Sequence, residues 1–529
     1  MERVAPGILF LYLLYAVLLT IPVSLILIWL YRRAVAKSMA FIGEADFPAV
    51  FDDAALSIAA ESLLRNPQLL ERRLRLRLIA IYLLVAFSAA SFWTYLLFQS
   101  GGIEFTPLPA FTITYAYCWP IVPTLTTLLA LDRRRSIGVL CLYFLLGVFG
   151  TILWSAISRN GNAGNNGWQA ARLIALYATL PGLVLWIVAN RRIRGVSPLV
   201  LAALLIFTFS SVFFNEFLVS LADNSSLRHI ILIFGAERWS FWFMLATVPV
   251  GYLCWLLLSL LNRGFQQKSF SEMQFLVDAF WIIVAFVVSA DLATSLGWKG
   301  LWGLAGFAVY RGVAAIALRL WPAPKGSGMS LLVLRVFGFQ RRAEKLFDSV
   351  SLRWRFRGPV RMIAGTDLAA KTIDPDDALA FASGDLPARF VKSAEDLRER
   401  LRQLDEARDP DGHFRVTEFF CQANTWTHAL LALLGRSDVI LMDLRGFNKE
   451  KSGCLFELGQ LKHHGRLAQT VFVVDSKTDL ELFKTAVNES GITEPQMHLE
   501  QVERDSIAAR DRVYRLLQSV LDPETLVAR

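Results

Sequence analysis

The chain is poor in cysteine and in charged residues. The first shortage argues against a disulfide-rich or zinc-binding protein, and the second argues against an ordinary soluble protein. Its 529 residues include five cysteines, and charged residues make up 19% of it, against about 25% in ordinary soluble domains. The cysteines fall either in apolar segments or, as Cys421 and Cys454, in the polar C-terminal part. No disulfide framework is indicated. No Cys/His spacing is typical of a zinc site, so we predict no metal centre and no bound cofactor.

Apolar residues dominate the N-terminal part of the chain instead. The whole sequence is 55% hydrophobic, with a mean hydropathy of +0.45. Crossing a bilayer as a helix takes about 20 consecutive apolar residues, and helices satisfy the backbone groups that lipid cannot. We predict nine such spans: 7–31, 78–98, 110–131, 137–157, 171–189, 197–219, 241–261, 275–296 and 300–321. The first lacks a basic start and a small-residue cleavage site, so we expect it to be retained as a helix.

The net charge of +9 lies entirely in the apolar part. After residue 325, Lys and Arg number 29 and Asp and Glu number 30, whereas before it the counts are 25 and 15. A nucleic-acid-binding protein would carry its basic patch on the soluble part, so we expect no nucleic-acid partner. Loops on one side of the nine spans hold 16 of the Lys and Arg residues, and loops on the other side hold four.

This asymmetry predicts the topology, because cytoplasmic loops collect Lys and Arg. We expect the N-terminus outside and the C-terminal domain in the cytoplasm. The predicted location is the bacterial inner membrane, and the lipid bilayer is the first partner. The domains are then a transmembrane domain, residues 1–325, and a cytoplasmic α/β domain, residues 326–529, joined by the Pro- and Gly-rich residues 322–328.

The C-terminal part alternates short β-rich runs with helical runs. We predict strands at 331–337, 360–364, 414–421, 438–444, 470–475 and 497–502. We predict helices at 341–355, 374–407 with a break near Gly384, 424–434, 453–464, 480–490 and 506–521. Strands separated by helices form right-handed crossovers and a parallel sheet. The predicted fold class is therefore a multi-span α-helical membrane domain followed by a doubly wound α/β domain.

Three segments of the α/β domain follow predicted strands and should meet at the carboxyl edge of the sheet, where open parallel sheets bind ligands. Ser452 is a suitable N-cap for the next helix, which puts Glu457 just past the first helical turn. Glu457 is then either a catalytic carboxylate or a helix-start carboxylate favoured by the helix dipole. The segments are Gly365-Thr366-Asp367, Asp443-Leu444-Arg445-Gly446-Phe447 and Ser452-Gly453-Cys454-Leu455-Phe456-Glu457-Leu458-Gly459.

A strand, a loop and the string Ser-x-Cys-x-x-Glu-Leu resemble the signature of TIR domains, over residues 414–476. The spacing of Gly453, Glu457 and Gly459 is also similar to that of nucleoside deoxyribosyltransferases, which have a related flavodoxin-like fold. The resemblance implies a TIR/flavodoxin-like domain that cleaves the N-glycosidic bond of NAD or a related nucleotide. NAD would be a substrate rather than a cofactor. The resemblance also implies self-association into a homo-oligomer.

The same resemblance assigns roles to residues of the three segments. Glu457 would be the catalytic carboxylate that stabilises or attacks the oxocarbenium-like ribose. Asp443 would orient a ribose hydroxyl, Arg445 would meet a phosphate and Ser452 would position the loop. The first segment would complete the substrate site through Gly365 and Asp367.

Several charged residues fall inside predicted spans, and four of them are candidates for an internal pair or a functional site. Glu216 lies in the sixth span, Asp278 and Asp291 in the eighth, and Arg311 near the middle of the ninth. A charge at the bilayer centre costs at least ~2.5 kcal/mol and usually faces a partner or a cavity. The structural interpretation is an internal pair, such as Arg311 with Asp291. The functional interpretation is a transport path or a sensing site.

Three functions are compatible with this sequence. The leading hypothesis is a membrane protein that acts in signalling or defence by cleaving NAD or a related nucleotide. The second is a non-enzymatic signalling or scaffold protein, in which the same fold binds a nucleotide or a partner. The third is a transporter or channel with a regulatory cytoplasmic domain.

Overall fold

The protein divides into two compact units that interleave along the chain. The first comprises Met1–Leu30, Arg75–Pro322 and Ile373–Ser383, and the second comprises Tyr31–Leu74, Ala323–Thr372 and Gly384–Arg529. The predicted domain boundary at residue 325 stays a prediction. The computed structural model describes residues 6–39, 67–101, 106–131, 133–157, 168, 196–197, 199–207, 239–324, 328–335, 340–364, 375–384, 386–404, 406–422, 425–488, 497–504 and 506–520.

Long helices dominate the N-terminal part. Their bounds are α1 Pro6–Met39, α2 Pro67–Gly101, α3 Pro107–Tyr117, α4 Ile121–Leu128, α5 Arg133–Ile157, α6 Trp239–Gln266, α7 Glu272–Leu296 and α8 Ala305–Leu320. In the part of the chain that the structure describes, five helices are long and apolar enough to cross a membrane. They are Leu14–Met39, Leu69–Gln99, Arg135–Leu153, Glu272–Ala293 and Lys299–Leu320. These candidate spans indicate a membrane protein.

The predicted spans agree with this arrangement in part. The predicted span 241–261 lies within α6, whereas 171–189 and most of 197–219 lie outside the described residues. The prediction of one continuous helix over 110–131 is wrong. A turn at Cys118–Pro120 divides this segment into α3 and α4, because Pro120 supplies no backbone N–H and its ring obstructs the preceding helical turn.

The predicted span 300–321 is also not one α-helix, since a 3₁₀-helix at Gly297–Leu304 precedes α8. Glycine recurs at every third residue here, at Gly297, Gly300, Gly303 and Gly306. A 3₁₀-helix has 3.0 residues per turn, so these glycines form one stripe. A Cβ at Gly300 would lie 2.2 Å from the backbone nitrogen of Ala293. The stripe therefore lets the 3₁₀-helix fold back against α7 with its backbone in direct contact.

Aromatic side chains fill the interior where α2, α4, α7 and α8 meet. The indole of Trp93 is fully buried, stacks on Trp281 at 6.1 Å between ring centroids, and donates a hydrogen bond to the Gly303 carbonyl at 2.8 Å. Trp281 in turn stacks on Tyr310 at 4.5 Å and donates to the Thr124 hydroxyl at 2.9 Å. Each buried indole N–H thus has an acceptor, which a low-dielectric interior requires.

The C-terminal part alternates strands and helices, as predicted. The strands are β1 Leu331–Arg335, β2 Val360–Ala364, β3 Phe390–Val391, β4 Val416–Cys421, β5 Val439–Asp443, β6 Thr470–Val474 and β7 His498–Gln501. The helices are α9 Gln340–Trp354, α10 Pro375–Ser383, α11 Ala394–Arg402, α12 Trp426–Gly435, α13 Ser452–His463, α14 Leu480–Asn488 and α15 Ile507–Ser519.

Within the described residues, seven strands are parallel and form one sheet in the order β3-β4-β2-β1-β5-β6-β7. Alternate residues of each central strand enter two hydrophobic cores. Leu332 and Ile440 pack with α11, α12, α13 and α14 on one face, while Leu331 and Val439 pack with α9 and α15 on the other. Helices on both faces confirm the predicted doubly wound α/β domain.

The segment predicted as mainly helical over 374–407 differs from the prediction. It contains α10, a short 3₁₀-helix at Leu386–Arg389, the strand β3 and α11. Gly384, with φ +85°, marks the predicted break. Helix α10 belongs to the first compact unit, where it packs against α6. The second unit also includes the start of α2, whose Glu71 accepts a hydrogen bond from Arg357 at 3.0 Å.

Candidate functional site

The carboxyl edge of the sheet contains a topological switch point between β1 and β5. From β1 the chain passes to β2, β3 and β4, which all lie on one side of β1, and from β5 it passes to β6 and β7 on the other side. The last residues of the two strands, Arg335 and Asp443, are paired in register. Open α/β sheets bind ligands in the crevice at such a point. The predicted segment Asp443–Phe447 therefore lies where the fold favours a ligand.

Asp443 and Arg445 form a buried ion pair at this edge. The guanidinium of Arg445 donates to the two carboxylate oxygens of Asp443, from Nε at 2.8 Å and from Nη2 at 2.6 Å. The Asp443 side chain is 8% exposed and the Arg445 side chain 2% exposed. Such a bidentate pair is strong and directional. The two side chains predicted to bind a ribose and a phosphate are thus engaged with each other in this structure.

Two residues that the sequence analysis missed fix the same loop from β6. Asp475 accepts hydrogen bonds from the backbone N–H of Gly446 at 2.9 Å and from the hydroxyl of Thr478 at 3.1 Å. The Leu444 carbonyl oxygen lies 3.0 Å from the same hydroxyl and shares its single proton. Gly446 has φ +70°, a conformation that favours glycine. The sequence could have identified Asp475 by its position, because Asp475 directly follows β6 just as Asp443 ends β5.

Helix α13 brings the catalytic candidate to this edge. Ser452 is the first residue of the helix and is exposed, and Lys451, rather than Ser452, occupies the N-cap position. The predicted capping role of Ser452 is therefore wrong. Glu457 lies in the second turn and is 2% exposed. A carboxylate this far inside a protein needs polar or charged surroundings to remain ionised.

The two cysteines near the site are unsuited to nucleophilic chemistry. Cys421 ends β4, and burial raises the pKa of its thiol to about 12. Cys454 lies in α13 and is buried in the hydrophobic core. The thiolate is the reactive form, so neither residue is a good nucleophile at neutral pH. Among the described residues, no group of three His, Cys, Asp or Glu side chains is placed to hold a metal ion.

A second buried polar cluster lies just before β4, at the amino ends of the strands rather than at their carboxyl ends. Arg415 approaches the carboxylate of Asp409 at 2.9 Å, and His413 Nδ1 lies 3.0 Å from Asp411. Arg355 donates to the Phe414 carbonyl at 2.8 Å. Burial raises the pKa of Asp409 to about 6, although the hydrogen bond and charge of Arg415 lower it. This cluster fixes the turn that leads into β4, far from the carboxyl edge.

Of the intramembrane charges, the structure pairs Arg311 with Asp278. Arg311 Nη1 lies 3.2 Å from the Asp278 carboxylate, and the Tyr310 hydroxyl donates to the same carboxylate at 2.8 Å. The suggested pairing of Arg311 with Asp291 is therefore not the one that forms. Residues Gly365, Asp367 and Glu216 lie outside the described residues.

Comparison of the chain with protein-family models, with curated proteins and with solved structures gives no match. The class that the fold defines is therefore a protein with candidate membrane-spanning helices and a parallel seven-stranded α/β domain.

Proposed function

We propose that this is a membrane protein whose cytoplasmic α/β domain cleaves the N-glycosidic bond of NAD or a related nucleotide. The observation that carries the proposal is the position of Glu457. It is a buried carboxylate in the second turn of the helix that follows β5, and β5 borders the switch point. Carboxylates held in this way stabilise the cationic sugar of glycosidic bond cleavage.

The strand order supports a TIR/flavodoxin-like identity. Without β3 and β4 the sheet reads β2-β1-β5-β6-β7, which corresponds to the 2-1-3-4-5 order of flavodoxin-like folds. Strands β3 and β4 extend this sheet beyond β2. Of residues 414–476, which resemble TIR domains, β5, α13 and β6 belong to the flavodoxin-like part, whereas β4 belongs to the extension.

The proposed reaction is a hydrolysis. The bond between the ribose anomeric carbon and the nicotinamide nitrogen breaks, and nicotinamide leaves with the bonding electron pair as a neutral molecule. Glu457 stabilises the positive charge that develops on the ribose. Water then adds its hydroxide to the anomeric carbon and releases a proton to solvent. No redox partner is required.

Asp443 and Arg445 belong to this proposal as substrate-binding residues, together with Ser452, Gly365 and Asp367. Because Nε and Nη2 of Arg445 donate to Asp443, a phosphate that binds these two atoms has to compete with that carboxylate. The Asp443 oxygens would then become available to a ribose hydroxyl. Substrate binding would thus break the ion pair between Arg445 and Asp443. It would form a contact from Arg445 to a phosphate and one from Asp443 to a ribose hydroxyl.

The remaining parts of the proposal concern the membrane part. Its candidate spans would anchor the protein in the proposed location, a bacterial inner membrane. The excess of Lys and Arg in alternate loops supports a cytoplasmic side for the α/β domain. The lipid bilayer and a second copy of the chain are the proposed partners. Self-association provides the regulation that a signalling or defence enzyme needs.

The direct test uses the full chain in detergent micelles with NAD. Wild type should release nicotinamide, and Glu457→Gln should lower the rate at least a hundredfold, because the neutral amide cannot stabilise a cationic sugar. Glu450→Gln is the matched control, since Glu450 lies in an exposed turn shortly before α13. Equal rates in wild type and Glu457→Gln, or no release at any protein concentration, would remove the enzymatic proposal.

A non-enzymatic nucleotide-binding module is the second candidate. The observation that favours it is the closed Asp443–Arg445 pair together with a Glu457 side chain that solvent hardly reaches. Such a domain would bind a nucleotide, change the loop after β5 and pass the signal on. Saturable binding of NAD without product would favour this candidate.

A transporter or channel is the third candidate, favoured by the helix break at Cys118–Pro120 and by the 3₁₀-helix at Gly297–Leu304. Interrupted helices occur at the substrate sites of transporters. Loss of solute flux in Arg311→Gln, with normal expression, would support it. Unchanged flux would count against it.

A further inference from the structure

Two aromatic rings stand close together where α12 and α13 begin, near Glu457. Trp426 is the first residue of α12 and Phe456 lies in the second turn of α13. Their ring centroids are 5.5 Å apart and the rings meet edge to face at 76°. Trp426 is half-buried, whereas Phe456 is 37% exposed. Both helices start at the carboxyl edge because they follow β4 and β5.

The indole of Trp426 also borders Gly453. A Cβ built at Gly453 would lie 4.0 Å from Cη2 of Trp426 and would meet no other atom within 4 Å outside its own helix. Gly453 and Glu457 are one helical turn apart on the same face of α13, where side-chain positions lie about 5–6 Å from each other. Because Gly453 has no side chain, nothing from this position of α13 covers the Cη2 edge of the indole.

We propose that Trp426 is the stacking surface for the heterocyclic base of the nucleotide, which reaches the indole beside Gly453. The proposal rests on the hydrolysis proposed for Glu457. A planar base in contact with the indole would have its anomeric carbon within about one helical turn of the carboxylate. Stacking on an aromatic side chain suits any base, and a cationic pyridinium ring gains further attraction to the indole face. Trp426 thereby selects heteroaromatic N-glycosides.

The experiment measures turnover and binding of NAD by the full chain in detergent micelles. Trp426→Leu should raise KM about tenfold or more with a small change in kcat, because base stacking is lost while Glu457 remains. Trp426→Phe should raise KM less than Trp426→Leu does, because phenylalanine keeps an aromatic ring for stacking. Gly453→Leu should give the same KM increase as Trp426→Leu, because the leucine would cover the indole beside Gly453 while Trp426 itself is retained.

His463→Leu is the control, since His463 is the exposed last residue of the same helix and lies outside the segment Ser452–Gly459. Its KM should equal that of wild type. Binding of NAD to Glu457→Gln, measured by calorimetry, separates the two proposals, and Trp426→Leu should weaken that binding as well. Wild-type turnover with an unchanged KM in both Trp426→Leu and Gly453→Leu would overturn the stacking role and leave the hydrolysis intact. Absence of both binding and turnover in wild type would overturn both.

Discussion

The glycine stripe of the 3₁₀-helix provides a sharp test of the first compact unit. In Gly306→Ala the new Cβ would lie 2.0 Å from Nε1 of Trp93 and 2.3 Å from its Cε2. The fully buried indole would have to move by more than 1 Å to restore van der Waals contact, and its Nε1 donates to the Gly303 carbonyl. Overpacking costs about 1–3 kcal/mol, and an unsatisfied buried N–H costs about 1–3 kcal/mol.

We therefore expect Gly306→Ala to lower the free energy of unfolding by about 2–6 kcal/mol, a large part of a typical protein's stability. Gly312→Ala is the matched control, since Gly312 lies in α8 with nothing within 4 Å of its Cβ position. Its expected effect is neutral or stabilising by up to about 1 kcal/mol, because alanine favours helix. The assay is denaturant unfolding in detergent micelles, followed by circular dichroism. Equal midpoints for the two variants would refute the close packing of this segment.

Two further predictions concern charged groups. Asp278→Asn and Arg311→Gln should each lower the free energy of unfolding by about 1–3 kcal/mol, which is less than expected for a fully buried ion pair. The double variant should lower it by less than the sum of the two single effects. Strict additivity in the same unfolding assay would exclude the pair. For Asp409, burial raises the folded-state pKa to about 6 from the ordinary 3.8, so its stabilising contribution is present below about pH 4 and is lost as pH rises through about 6. Asp409→Asn should remove a pH-dependent loss on the order of 2–3 kcal/mol between pH 4 and 7, and identical pH profiles of wild type and variant would contradict this assignment.

The α/β fold was largely predictable because its strands are short, apolar and separated by helical runs. The predicted strand 360–364 has the bounds of β2, and the predicted 438–444 contains β5. Strand β3 was missed because it has only two residues, Phe390 and Val391, which is too short for a periodic signal. The order of the strands depends on long-range pairing that no local pattern encodes.

The partner of Arg311 was mispredicted for a geometric reason. The chain reverses at Gly297, so positions after this glycine pack against positions before it. From Gly297 to Arg311 the chain advances about 16 Å along the eight 3₁₀ residues and about 10 Å along the start of α8. An α-helix covers the same distance in roughly 17 residues. Counting back along α7 reaches Asp278, not Asp291. The repeated glycines in the sequence were the signal, but they mark a 3₁₀-helix only once the reversal is known.

The sequence predicted where the candidate site lies, but it did not predict which side chains of the site contact each other. Strand ends and the Ser-Gly-Cys-x-x-Glu-Leu-Gly string identified the carboxyl edge and placed Glu457 in α13. The sequence did not reveal that Asp443 and Arg445 bind each other, or that Asp475 supports Gly446. Side-chain pairing across a loop depends on backbone geometry, here on the positive φ of Gly446, which the residue types alone do not specify.

Product analysis of NAD incubated with the full chain in detergent micelles tests the central claim most directly. The account predicts nicotinamide and ADP-ribose in equal amounts, formed at the rate at which NAD disappears, because the bond broken is the one between ribose and nicotinamide. Intact NAD after prolonged incubation at high protein concentration would contradict it. So would nicotinamide mononucleotide and AMP, the products of cleavage at the pyrophosphate.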